Sequence, residues 1–199
     1  MAKSTKPAAA TPERRAVMRA LMKGRKELLV VSGLGSTTYD LAAAGDNPRN
    51  FYLWGAMGGA AMIGLGLALA QPKKRVLVVT GDGEMLMGLG ALATIGVQQP
   101  GNLAVVVIDN ERYAETGLQK THTAHGIDLP AIAKATGFKI VDLAVSDGEL
   151  EALLPTIHKA PGPVFVTIKV TADRPPFVLP SRDGVYLKNR FREAVLGAP

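Results

Sequence analysis

Short apolar runs alternate along this chain with longer stretches of helical periodicity, and the alternation predicts an α/β architecture. Runs at 28–31, 76–79, 103–108, 139–143 and 164–170 are of strand length and rich in valine, isoleucine and leucine. Those at 76–79 and 103–108 contain no polar position, the pattern of parallel strands buried on both faces. Helices are predicted between them. Thr11 as N-cap, with Pro12 in the first helical position, starts one that runs through Arg14, Val17 and Leu21 to about residue 22. Others run from Glu84 to about Gln98, from near Asp128, where Leu129 and Pro130 complete a start signal, and over 147–159. The first ten residues are small, polar and proline-containing, and residues 1–11 are expected to be a disordered arm. A proline-rich stretch after Thr171 leads into a short amphipathic helix. Residues 12–175 therefore read as one domain and 176–199 as a C-terminal extension.

Residues 51–70 resist this pattern, with no charge over twenty positions. Hydropathy alone would make them a membrane span, and Gly55 and Gly59 have the small-residue spacing of packed membrane helices. Their place between two strand-like runs favours a helix buried between a sheet and a second subunit. No membrane is expected.

Candidate chemistry lies where strands end. The run at 76–79 stops at Gly81, Asp82 and Gly83, a helix follows, and the next run stops at Asp109 and Asn110. The crossover rule makes the two strands parallel, so both finish on one sheet edge. That edge is where open α/β sheets bind ligands. A carboxylate and an amide oxygen suit a hard cation, and glycines at a helix start leave N–H groups open to a phosphate. The pair implies a grip on a metal and a diphosphate, although a Gly-Asp-Gly by itself is a common turn. Gly33 and Gly35 followed by Ser36, Thr37 and Thr38 form a second strand-to-helix turn rich in donors, a weaker anion signal.

Composition narrows the classes. With 199 residues and 47% apolar content, the chain can bury one full core. It has no cysteine, which excludes disulfides and cysteine-ligated metals within the chain. The net charge of +6 is uneven: residues 1–26 hold eight of the 23 basic residues and one acid, so this N-terminal segment carries +7 and the rest −1. Without interleaved aromatic residues the segment is a solvated tail or partner-facing helix, and no nucleic acid is expected. No Gly-Lys-Ser or Gly-Lys-Thr follows the glycines, which disfavours a P-loop nucleotidase. The first ten residues contain no apolar secretory region, and a cytoplasmic location is expected.

The stretch from Arg75 to Asn110, RVLVVTGDGEMLMGLGALATIGVQQPGNLAVVVIDN, resembles the diphosphate-binding signature of thiamine diphosphate enzymes. The resemblance covers roughly residues 12 to 170. It implies a doubly wound α/β fold with a mostly parallel sheet of about five or six strands and helices on both faces. It also implies thiamine diphosphate and Mg2+ as cofactors, with Asp82, Asn110 and the backbone carbonyl of Arg112 as metal ligands. Gly81, Gly83 and Glu84 would complete the cofactor turn, with Ser36 and Thr37 supplying hydroxyls. Gly55 would meet the aminopyrimidine through its carbonyl, and Met57 would wedge beneath the cofactor. Asp109 departs from the family pattern, where many members have a first Asn.

Within that family, GDGEMLMGLGALATIG and the loop ETGLQKTHTAHGIDL resemble the sulfopyruvate and phosphonopyruvate decarboxylases. The substrate implied is a 2-oxo acid with a second anionic group. Glu115, Gln119, Lys120 and His122 are the polar pool for its contacts, and Lys120 is the cation that could meet that group. His122 and His125 also raise a metal pair, against capping or solvated histidines. The family needs a second domain that binds the aminopyrimidine and supplies the activating glutamate, and 199 residues leave no room for it. The chain is therefore expected to be one subunit of a hetero-oligomer, with an aminopyrimidine-binding subunit as partner. A carboligase, transketolase-like enzyme, 2-oxo acid oxidoreductase or regulatory subunit stays open as the alternative.

Overall fold

The structure, a computed structural model, describes residues 10–197; the expected arm falls largely on residues 1–9, outside them. Six strands form one parallel sheet: β1 (Leu29–Ser32), β2 (Asn50–Tyr52), β3 (Val76–Gly81), β4 (Leu103–Asp109), β7 (Ile140–Ala144) and β8 (Val164–Lys169), in the order β2-β1-β3-β4-β8-β7. Between β4 and β7 a two-stranded antiparallel ribbon pairs β5 (Arg112–Tyr113) with β6 (Gln119–Lys120).

Each central strand feeds two cores. Val30, Leu77, Val79, Val106 and Val166 point to one face, against α1 (Arg14–Met22), α2 (Ser36–Ala43) and α7 (Asp147–Lys159). Leu29, Val31, Val78, Val105 and Phe165 point to the other, against α3 (Ala60–Ala70), α4 (Asp82–Met87), α5 (Gly90–Gln98) and α6 (Leu129–Ala135), while α8 (Gly184–Leu196) reaches both, with Leu187 in the first core and Val195 in the second. This double coverage is why the strands read as unbroken apolar runs. The doubly wound parallel fold expected from the sequence is the one observed.

Several local expectations are corrected. The first helix begins at Arg14, not Pro12, and its N-cap is Glu13, whose side chain makes no capping bond. Pro12 instead accepts a backbone hydrogen bond from Thr171 at 3.0 Å, which draws the chain start onto the end of β8. The helix expected over 84–98 is broken into α4 and α5. At the break Gly88 presses so closely on Gly58 that a Cβ would overlap the Gly58 carbonyl oxygen. Residues 51–70 are not one helix: β2 and a loop precede α3, and no helix among the described residues is long and apolar enough to cross a membrane.

The C-terminal segment returns over the sheet. Trp54 donates to the Ser181 carbonyl at 2.7 Å, Phe191 packs on Phe51 with centroids 5.5 Å apart, and Leu187 and Val195 are buried. The short strand β2 lies at the sheet edge, and α8 packs against it. An uncovered edge would be open to pairing with another chain.

Candidate functional site

Connections leave β1 and β3 in opposite directions. From β1 the chain goes outward through α2 to β2, whereas from β3 it goes the other way through α4 and α5 to β4. The crevice between the carboxyl ends of β1 and β3 is therefore the topological switch point. Two turns meet there, Gly33 to Ser36 before α2 and Gly81 to Gly83 at α4. Neither helix has a side-chain cap, so no side chain occupies the first-turn N–H groups. A cavity opens between them, lined by Ser36, Thr37, Met57, Gly81 to Glu84, Asn110 and Arg112 to Thr116, with Arg14 in its wall.

Asp82 is buried at the floor. Its Oδ2 accepts hydrogen bonds from Thr121 Oγ1 and, at 3.2 Å, from Thr123 Oγ1, and no side chain of the described residues donates to Oδ1. Burial, reinforced by the charge of Asp109 and opposed by these hydroxyls, raises its pKa above the usual carboxylate range. Asn110 Oδ1 accepts from the Arg112 N–H at 3.0 Å, an Asx turn that fixes the side chain and leaves the oxygen a second lone pair. These oxygens fit a hard cation.

Glu84 lines the cavity, yet its carboxylate is turned away. Oε2 accepts from Thr80 Oγ1 at 2.7 Å and fills the space where Gly33 would carry a Cβ. Burial raises its pKa, and the Thr80 hydroxyl and the backbone amides of Gly58, Leu34 and Ala60 pull the other way. Glu84 Oε1 accepts no hydrogen bond among the described residues, so the carboxylate is held at the crevice by Thr80, at the end of β3. Thr37 Oγ1 spends its proton on the Gly33 carbonyl at 3.0 Å, whereas the Ser36 hydroxyl makes no hydrogen bond among the described residues. Of the two, Ser36 is the one left free for a ligand.

Met57 reaches the cavity rim and is 59% exposed; Gly55 lies on the same loop outside the lining. The loop expected after Asn110 is the β5–β6 ribbon followed by a short 3-10 turn at His122–His125. It brings Glu115 into the cavity wall, accepting from Tyr39 at 3.3 Å. It does not bring Gln119, Lys120 or His122 there: Gln119 bonds back to Thr116, Lys120 is exposed, and His122 faces the Tyr113 hydroxyl at 3.4 Å. No group of three or more metal-ligating His, Cys, Asp or Glu side chains exists among the described residues, so the histidine pair gains no further ligand. Residues not singled out in the sequence also belong to the site. Thr123 and Lys169 build the floor under Asp82 and Asp109, and Arg14 arrives from α1. Only the fold joins them to Asp82, from 41, 87 and 68 positions away in sequence.

Residues 33–168 match the family described as thiamine pyrophosphate enzyme, C-terminal TPP binding domain. The chain is 42% identical over 170 residues to the sulfopyruvate decarboxylase subunit beta of Methanothermobacter thermautotrophicus, covering 85% of this chain and 88% of that one. It is 41% identical over 163 residues to the phosphonopyruvate decarboxylase of Streptomyces viridochromogenes, covering 81% of this chain and 41% of that one. In fold it is similar to a putative thiamin diphosphate-dependent enzyme from Mycobacterium smegmatis, with a TM-score of 0.70 at 24% identity, over 87% of this chain and 35% of that one. Crevice, turn and matches agree: the chain belongs to the thiamine pyrophosphate (thiamine diphosphate) enzymes, in their C-terminal TPP-binding domain.

Proposed function

We propose that this chain is the diphosphate-binding subunit of a split, Mg2+-dependent 2-oxo acid decarboxylase that is active only with an aminopyrimidine-binding partner. The observation that carries the reading is the pairing of Asp82 and Asn110 in one crevice with two uncapped helix starts. The match along nearly the whole of a sulfopyruvate decarboxylase beta subunit supports it, and the phosphonopyruvate decarboxylase match supports a substrate bearing a second anionic group. Asp82 Oδ1, Asn110 Oδ1 and the Arg112 carbonyl would hold Mg2+, and Ser36 with the amides of the two turns would take phosphate oxygens. When bound, thiamine diphosphate supplies the electron sink that accepts the pair released as carbon dioxide departs.

The chain's own residues grip, support and exclude water. Thr121 and Thr123 hold one Asp82 oxygen, which would leave the other for the metal. Met57 supplies apolar surface at the rim, and Glu115 closes over Gly35 from the opposite wall. Titration calorimetry of thiamine diphosphate and Mg2+ into the two-subunit complex tests the reading. Asp82→Ala should abolish binding and Asn110→Ala should weaken it, with the fold intact in both. Unchanged affinity in both variants would reject the assignment, and robust decarboxylation by this chain alone would reject the split.

A further inference from the structure

Arg14 is the one arginine that is buried among the described residues, at 6% exposure, and it stands in the wall of the cavity that holds Ser36, Asp82 and Gly83. Its Nε donates to Asp40, and its Nη1 reaches the Asp173 carbonyl at 3.3 Å. Nη2 has no partner among the described residues, yet it is not one of the enclosed orphan nitrogens, so it keeps accessible surface on a side chain that lines the cavity. A second cavity, of about 400 Å³, shares Arg14, Ser36, Ala114 and Glu115 with the first. The guanidinium is part of the partition between the two.

Asp40 is itself fully buried, one turn after Ser36 on α2, and it also accepts from Arg15 Nε at 3.2 Å. Two guanidiniums share one carboxylate, so the cluster keeps a net positive charge. A brace between α1 and α2 would need one arginine, and Arg15 is already placed for it. Burying a second guanidinium is costly unless a further anion meets it. A diphosphate carries more negative charge than one divalent cation neutralises, and a planar guanidinium is suited to its oxygens.

We propose that Arg14 is a cofactor-binding residue, donating through Nη2 to a phosphate oxygen of thiamine diphosphate, while Asp40 and the Asp173 carbonyl hold the guanidinium in place. This rests on the reading that the cavity binds thiamine diphosphate. The ligand chemistry is a tetrahedral oxyanion, which the second anionic group of a substrate would share, so the test separates the two sources.

The two-subunit complex is titrated calorimetrically with inorganic pyrophosphate and with thiamine diphosphate, each with Mg2+, for the wild type, Arg14→Gln, Arg14→Lys and Arg15→Gln. Arg14→Gln should weaken both ligands by about tenfold or more, as expected for loss of a charge-assisted hydrogen bond. Arg14→Lys should recover part of that loss and keeps a cation beside Asp40, so it serves if the glutamine variant does not fold. Arg15→Gln, which also removes a partner of Asp40 but lines neither cavity, should stay near wild type. At saturating cofactor the KM for the 2-oxo acid should be unchanged in Arg14→Lys. Wild-type pyrophosphate affinity in both Arg14 variants overturns the proposal, as does a raised KM with unchanged cofactor affinity, which would assign Arg14 to the substrate. Failure of the wild-type complex to bind thiamine diphosphate would reject the functional reading instead.

Discussion

Asp82 and Asp109, at the ends of neighbouring strands, face each other across one hydroxyl: Thr123 Oγ1 lies 3.2 Å from Asp82 Oδ2 and 2.9 Å from Asp109 Oδ1. Close carboxylates disfavour each other's ionisation, and of the two it is Asp109 that has a cation, Lys169, whose Nζ is 2.8 Å from Asp109 Oδ2 and 2.8 Å from Glu111 Oε1. Burial opposes the Lys169 charge, but the bonds to Asp109 and Glu111 outweigh it and raise its pKa. Asp109 is thus paired with a lysine contributed by β8.

Lys169→Met should therefore destabilise the protein. Removing one partner of a buried pair costs about 3–5 kcal/mol; with Lys169 28% exposed, solvent screening reduces the expectation to about 1–3 kcal/mol. Asp109→Asn in the same chain should return most of the loss, because the stranded charge is gone. Urea unfolding of the four members of the cycle measures this, and strictly additive changes would show that the two side chains do not depend on each other.

The raised pKa of Asp82 makes a pH-dependent prediction. In the folded protein its carboxyl keeps a proton that the unfolded chain releases, so the cost of ionising it is absent below the unfolded pKa and grows as pH rises through the folded value. Asp82→Asn removes that cost. The cofactor-free variant should melt at a higher temperature than wild type at about pH 8, with the difference closing toward about pH 4. Calorimetric scans across that range check it. A difference independent of pH would mean that Asp82 is not held above its ordinary range.

The parallel sheet and the Asp82 turn were legible in the sequence for one reason. Strands covered on both faces must be continuously apolar, and a ligand turn at their ends must break that run abruptly, as Gly81 to Gly83 does after Val76 to Thr80. What was not legible depends on contacts between distant segments. Three-residue β2 has too little pattern to be read, and Gly88 breaks a helix only because Gly58 passes beside it. Lys120 is a cation near the site in sequence, yet the β5–β6 ribbon carries it to the surface. In sequence Arg14 is one positive charge among eight in residues 1–26, and only the packing of α1 lays it against Asp40.

Gly33 and Glu84 give a prediction of opposite character, a collision rather than a lost contact. A Cβ at position 33 would occupy the place of the Glu84 carboxylate, which cannot retreat without losing Thr80 Oγ1 and entering the packing around it. Gly33→Ala should cost on the order of 2 kcal/mol, within the range for overpacking. In a Glu84→Ala background the same substitution should cost clearly less. Guanidinium midpoints of the single and double variants measure the difference. Equal costs in both backgrounds would place the strain elsewhere in the β1–α2 turn.

Met57 tests the rim. It is held between Ala56 at φ 51° and Gly58 at φ 87°, so the loop places a side-chain-bearing residue in the left-handed region immediately before it. Such a conformation costs on the order of 1 kcal/mol and persists where the surroundings impose it, frequently at ligand sites. The result is a methionine 59% exposed at the cavity mouth, contributing little to the core of this chain. Its removal should therefore leave stability within about 0.5 kcal/mol, the usual range for surface substitutions. Function should respond differently. In the complete complex Met57→Leu keeps a similar volume and should retain turnover. Met57→Ala should lower turnover by about tenfold or more, because a misplaced reacting group loses rate steeply, while cofactor affinity changes much less. Steady-state kinetics alongside calorimetric titration of thiamine diphosphate separates the two effects. Normal turnover in the alanine variant would leave Met57 as surface that the partner subunit covers, with no part in positioning the cofactor.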